Sequence, residues 1–227
     1  MRAPKKGSLL REIPIIVVAA LVVSVLVKTF LIHFFFIPSG SMENTLQVGD
    51  RIAVNKLANF YSDIRRGEVV VFRDPANWLG AAPTDNSKGV VEFVKSGLVT
   101  VGVLPDPAKQ YLIKRTIGVG GDTVKCCNTK GQLTVNGTAI DEPYIYAGDK
   151  PSDTNFTVTV PQGYIWVMGD HRGASADSRF HTDDIHKGMV PLKSVVGRAV
   201  VVVWPFNHMK FLSVGHDLSK VSANAQP

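Results

Sequence analysis

Charge is scarce in this chain: Asp, Glu, Lys and Arg make up 19% of its 227 residues. No basic stripe runs through it either. Arg2, Lys5, Lys6 and Arg11 face only Glu12 in the first twelve residues, so half of the net +6 sits there and the rest is nearly balanced. A nucleic-acid-binding face would spread its excess over a folded surface, so the distribution excludes nucleic acid as a partner. Cysteine is scarcer still, with only the adjacent Cys126 and Cys127. Neighbouring thiols do not match the separated pairs of a structural zinc site, and no metal or cofactor is expected. A bond between neighbours is strained, and the sequence leaves their redox state open. No internal repeat is visible, and no second apolar run reaches membrane length. Disorder is excluded by what is present: 45% hydrophobic residues with 20 Gly and 13 Pro describe a compact, turn-rich fold.

The longest apolar stretch follows the basic cluster. Ile13 to Val27 reads IPIIVVAALVVSVLV, and after Lys28 the run resumes as TFLIHFFFI before Pro38. About 20 helical residues span a hydrocarbon core of roughly 30 Å, so the run is long enough to cross with tilt. It is apolar all round instead of along one stripe, which argues against a core helix. The residues after it are large, which argues against a cleaved signal peptide. Residues 1–12 are therefore expected as a cytoplasmic basic tail and residues 13–36 as a single transmembrane anchor. Lys28 and Phe34-Phe35-Phe36 would lie at the outer leaflet, with the N-terminus inside. This places the chain in the cell membrane, with the lipid bilayer as a partner and the rest outside the cytoplasm.

Residues 37–212 carry short β-branched runs at 51–55, 68–72, 111–117, 122–125, 156–160, 164–168 and 195–204, separated by Gly and Pro clusters. The expected fold class is mainly β, mostly antiparallel, with a β insertion at about 123–163. Asn136-Gly137 predicts a tight hairpin turn, because both central positions need φ > 0. Residues 74–89 and 95–109 read as surface insertions, and 213–227 as a flexible tail.

Three segments hold the reactive side chains. Pro38-Ser39-Gly40-Ser41-Met42 offers two hydroxyls on a pliable backbone next to the anchor; taken alone, Ser-Gly pairs are ordinary loop filler. A serine nucleophile needs a base. Histidine is the usual one, and His171 and His181 flank Asp177, so a Ser-His-Asp triad remains open. Lysine is the alternative if burial lowers its pKa, and Lys114 in Tyr111-Leu112-Ile113-Lys114-Arg115-Thr116-Ile117 is the candidate. Alternation puts Lys114 with Leu112 and Thr116, and a strand lysine ordinarily faces solvent. The third segment, Met168 to Arg179, mixes opposite charges and hydroxyls that suit either a polar network around an amine or a surface loop.

In order, an apolar helix, PSGSM, GDRIAVNK, YLIKRTIGVGGD and GDHRGASADSR resemble the type I signal peptidases, membrane-anchored serine proteases with a Ser-Lys dyad. The resemblance runs from about residue 12 to Trp204. It implies Ser41 as nucleophile, Lys114 as general base, and the Ser39 hydroxyl with the Ser41 N–H as the oxyanion hole. Ser175 would hydrogen-bond and orient the lysine amine. Asp177 with Arg179, and Arg115 with Asp170, would form ion pairs. Phe35, Ile37, Pro38 and Ile113 would line shallow apolar pockets, so signal-peptide-bearing preproteins would be cut after small-x-small sequences. The chain departs from many relatives at His171, Gly173 and Ala174; His171 reads as a loop-packing residue. The insertion with its two cysteines would be dispensable.

Two other functions compete with this reading. A self-cleaving regulator of the LexA kind shares the dyad but needs a DNA-binding domain, against which the anchor argues. A membrane-tethered β module without catalysis is the other.

Overall fold

The computed structural model describes residues 9–30, 32–57, 63–80, 110–212, 218 and 221. The basic residues Arg2, Lys5 and Lys6, and most of both expected surface insertions, lie outside the described residues. Helix α1, Leu9–Phe30, covers most of the apolar run. Its side chains are described over residues 12–22, where every one is exposed. Among the described residues, no helix is long and apolar enough to cross a membrane.

The helix ends at Phe30, short of the expected anchor boundary at 36. From Ile32 to Phe36 the chain is a strand, β1, paired antiparallel with β2, Arg51–Asn55. Uniformly apolar sequence cannot separate helix from strand by periodicity, and aromatic residues favour the pleated surface. Phe35 is buried while Phe34 and Phe36 are exposed, the alternation of a half-covered edge strand.

The remaining main-sheet strands are β3 (Val69–Arg73), β4 (Tyr111–Val119), β9 (Tyr164–Met168), β10 (Val190–Pro191), β11 (Val195–Trp204) and β12 (Lys210–Phe211). They lie in the order β1-β2-β11-β3-β4-β9-β10, with β12 beside β11, and every pairing is antiparallel. Strand β3 is buried on both faces. Val69 and Val71 join the core under β1 and β2, whereas Val70 and Phe72 face a second core with Trp78, Ile165 and Val167. Its unbroken Val-Val-Val-Phe run fits a strand covered on both sides.

A smaller sheet forms the insertion: β5 (Thr123–Cys126), β6 (Thr134–Val135), β7 (Thr138–Ala139) and β8 (Phe156–Thr159), in the order β7-β6-β5-β8. The turn between β6 and β7 has φ 54° at Asn136 and 78° at Gly137, as the Asn-Gly pair requires. A third core fills the space between the two sheets. Cys126 is buried there and is disulfide-bonded to Cys127.

The tail is not wholly free. Leu218 and Val221 are 1% and 5% exposed and pack into the third core. Arg66 Nη1 donates to the Val221 carbonyl at 2.7 Å while its guanidinium pairs with buried Asp122. The expectation of a flexible tail fails at these two positions because isolated apolar side chains in polar sequence can still find a core.

Candidate active site

The residues after β1 turn sharply. Ile37 extends the pairing, its N–H donating to Asp50 O at 2.9 Å, and Ser39 is extended (φ −129°, ψ 154°). A single 3-10 turn, Gly40–Met42, follows. Met42 plugs it into the core at 0% exposure, beside Leu46, Ile52 and Val202. A buried methionine next to the serine makes this a seated turn, not loop filler, and it carries Ser41 to the mouth of the cleft.

Strand β4 brings Lys114 to the same place. Val70 of β3 pairs opposite Lys114, and the side chain is 4% exposed instead of facing solvent. Lys114 Nζ lies 2.6 Å from Ser41 Oγ. Burial pushes the amine down from its ordinary 10.5 to about 8. Asp177 and Asp170 oppose that shift and Arg179 adds to it. Among the described residues no imidazole hydrogen-bonds Ser41 Oγ. His181 instead contacts the Asp177 carbonyl through Nδ1 at 2.9 Å and stacks on Trp78.

The loop after β9 walls the site from the other side. Gly169 fits only without a side chain, because a Cβ would overlap Ser175 Oγ and the Ser41 carbonyl oxygen. Asp177, fully buried, accepts from Gly169 N at 2.9 Å and from Arg179 Nε and Nη2, both at 2.9 Å. Arg115 clasps Asp170 through Nε at 2.8 Å and Nη2 at 2.6 Å. Ser175 departs from the expectation: its hydroxyl donates to Asp177 Oδ2 at 2.8 Å and not to the Lys114 amine. A carboxylate is the stronger acceptor for that proton.

The insertion, expected to be dispensable, reaches into this loop. Glu142 pairs with buried Arg172, and Tyr144 lies under the Arg115 guanidinium at 4.1 Å. Tyr146 N donates to Asp170 O at 2.9 Å, and Asp149 accepts from Gly173 N at 3.0 Å. Residues 142–149 are thus part of the site's scaffold.

A cleft of about 320 Å³ opens beside the dyad, lined by Phe35, Ile37, Pro38, Ser39, Ser41, Ile113 and Lys114. All four expected pocket residues line it. Phe36, Leu79, Tyr111, Ala174 and Ala176 line it too and were missed. Tyr111 was findable, since it lies two residues before Ile113 and shares its face. Leu79 was not, because only the Asp74 carboxylate, accepting from Ala76, Trp78 and Leu79 N–H groups, bends that segment over the cleft.

The site brings together a serine hydroxyl, a desolvated amine in contact with it and an apolar cleft. The family described as signal peptidase, peptidase S26, matches residues 9–204. Signal peptidase I of Mycobacterium tuberculosis H37Rv is 40% identical over 222 residues, covering 89% of this chain and 75% of that protein. Probable signal peptidase I of Mycobacterium leprae is 41% identical over 229 residues, covering 89% and 78%. The crystal structure of a signal peptidase I from Enterococcus faecalis V583 aligns with TM-score 0.38 at 22% identity, over 61% of this chain and 98% of that one. The chain belongs to the signal peptidase family, peptidase S26, whose serine peptidases hydrolyse peptide bonds to remove signal peptides.

Proposed function

We propose that the chain cleaves signal peptides from membrane-emergent preproteins by a Ser-Lys mechanism. The observation that carries this reading is the 2.6 Å contact between Lys114 Nζ and Ser41 Oγ at the head of an apolar cleft. Neutral Lys114 takes the Ser41 proton as Oγ attacks the scissile carbonyl. The Ser41 N–H and the Ser39 hydroxyl receive the developing oxyanion, each donor worth roughly 3–4 kcal/mol. Lys114 then returns the proton to the leaving amine, and water releases the acyl group by the same route. Ser175, Asp177 and Arg179, and Arg115 with Asp170, hold the wall against which the amine rests.

Specificity follows from the cleft. An extended substrate sends its first and third side chains before the cut to the same side. Phe35, Ile37, Pro38 and Ile113 offer them apolar surface, and small residues at both positions are the proposed preference.

The chain is read as single-pass, with its N-terminus in the cytoplasm and its β domain outside. Supporting this, α1 exposes Ile15, Ile16, Val18 and Leu21 at 59–68%, and β1 is the next element in the chain. On the sheet that follows, Phe34, Phe36, Trp204 and Phe211 are 51%, 60%, 47% and 85% exposed. The strand registers put Phe36 level with Arg51 and Trp204, and Phe34 level with Val201 and Phe211. Together with exposed Arg51 these make one mostly apolar surface, which a lipid interface would cover.

The experiment uses membranes carrying the full chain and a model preprotein with an Ala-x-Ala site. Ser41→Ala and Lys114→Ala abolish cleavage, and His181→Ala retains it. N-terminal sequencing of the released product reads the residue after the second Ala, and alkaline extraction leaves the enzyme in the pellet. Activity of Lys114→Ala with a dead His181→Ala would replace the dyad by a histidine base.

A further inference from the structure

His171 takes no part in the proton transfers just described, yet four groups converge on it. Its Nδ1 lies 3.0 Å from Glu43 Oε2 and its Nε2 3.9 Å from Asp149 Oδ2. Its ring stacks on Tyr146 with centroids 4.0 Å apart at 16°. Its backbone N–H donates to the Ser41 carbonyl at 3.2 Å. Of the groups packed on the imidazole, Glu43 comes from the nucleophile turn, and Asp149 and Tyr146 from the insertion. Arg172, the next residue in the chain, turns away to Glu142.

Glu43 explains why such a clamp matters. Its N–H closes the nucleophile turn on Gly40 O at 2.9 Å, and its carboxylate folds back over the same turn. A Cβ on Gly40 would stand 2.9 Å from both Glu43 Cδ and Oε1. Gly40 separates Ser39 and Ser41, the two residues proposed above to supply the oxyanion donors. A carboxylate lying over that backbone opposes the negative charge that forms there, unless a donor holds and screens it. His171 is the group in contact with it. Asp149 and the Tyr146 ring keep the imidazole in place, and Asp149 is itself tied to Gly173 N.

The structure assigns His171 the role of a positioning residue: its imidazole holds and screens the Glu43 carboxylate beside the nucleophile turn while its backbone N–H pins the carbonyl of Ser41. The assignment rests on Ser41 being the nucleophile. It also gives the insertion a part in catalysis, since Asp149 and Tyr146 orient the clamp.

The test measures kcat and KM for preprotein cleavage by the full chain in detergent micelles, with thermal melts on each variant. His171→Ala lowers kcat by about 10-fold to 100-fold and leaves KM within about twofold, as expected for a misplaced oxyanion site. His171→Asn, whose amide still donates to Glu43, recovers most of that loss. In the His171→Ala background, adding Glu43→Gln restores kcat to within about fivefold of wild type, because the opposing charge is gone. A purely structural histidine would instead give losses that accumulate in the double variant and follow the melting temperature. No recovery on adding Glu43→Gln, a loss confined to KM, or an unchanged kcat in His171→Ala overturns the assignment. Retained cleavage by Ser41→Ala, run alongside, would instead remove the nucleophile reading beneath it.

Discussion

Lys114 is under two opposing demands. The proposed mechanism needs it uncharged to take a proton, yet it sits near the carboxylates of Asp177 and Asp170, which favour its charged form. Burial wins and leaves the amine near 8. With neutral Lys114 as the proposed base, kcat/KM rises as pH passes upward through about 8 and levels above it. A rise only near 10, or a flat profile from pH 6, would sink the depressed-lysine mechanism. The same shift fixes a sign for stability. The folded pKa lies below the unfolded 10.5, so between about 8 and 10.5 the unfolded chain binds more protons and stability climbs with pH. Below that window the full penalty of burying the charge is present, on the order of 3 kcal/mol. Lys114→Met therefore inactivates the enzyme and raises its melting temperature at pH 7, an advantage that shrinks toward pH 10. A variant less stable than wild type at pH 7 would show that the amine is held by more than its one contact with Ser41.

Among the elements, the strands were the most legible part. The runs at 51–55, 111–117 and 195–204 became β2, β4 and β11 because β-branched residues in alternation have few other ways to be covered. The boundary between α1 and β1 was illegible, since a run apolar on every side carries no period. The order of the three reactive segments was equally plain, but the contacts joining them were not. His171 meets Glu43 across 128 residues, and Asn44 meets Tyr144 across 100, separations that leave no local pattern. Asn44 shows what such a contact does. It takes φ 81° and aims its amide at the carbonyls of Tyr144 and Ile145, each at 3.1 Å, latching the nucleophile turn to the insertion. Thr45 adds a second latch through Asp170 and through Arg115 Nη2 at 3.0 Å. Asn44→Gly keeps the backbone conformation and loses only the donor, so it costs about 1 kcal/mol; Asn44→Asp sets a carboxylate against carbonyl oxygens and costs about 3 kcal/mol. Denaturant melts rank the two, and cleavage rates fall in the same order. Equal stability of Asn44→Asp and wild type would mean that the insertion is not latched here.

At the scale of the whole molecule, two sheets must move as one body for a serine on one edge to keep its place against the insertion. The joint is Asp122. Fully buried, it accepts from Val119 N at 2.8 Å and Asn136 Nδ2 at 2.9 Å, and it receives Arg66 from the main-sheet side. Arg66 also donates through Nη1 to the Val221 carbonyl, and the Leu218 and Val221 side chains lie in the core between the sheets. Burying two such side chains is worth about 3 kcal/mol in total after discounting a compact unfolded state. Ending the chain at 217 should therefore lower the melting temperature by about 10 °C, since 1 kcal/mol shifts a domain of this size by roughly 2–4 °C. Leu218 and Val221 are not among the residues that line the cleft, so cleavage well below the new transition should persist, and the loss should show as faster inactivation on warming. Leu218→Ser with Val221→Ser in the full-length chain should reproduce the effect, which separates the two buried side chains from chain length. A truncated enzyme that melts with wild type would leave Arg66 and Asp122 alone to couple the sheets. A truncated enzyme that is stable yet inactive would mean instead that the tail reaches the cleft.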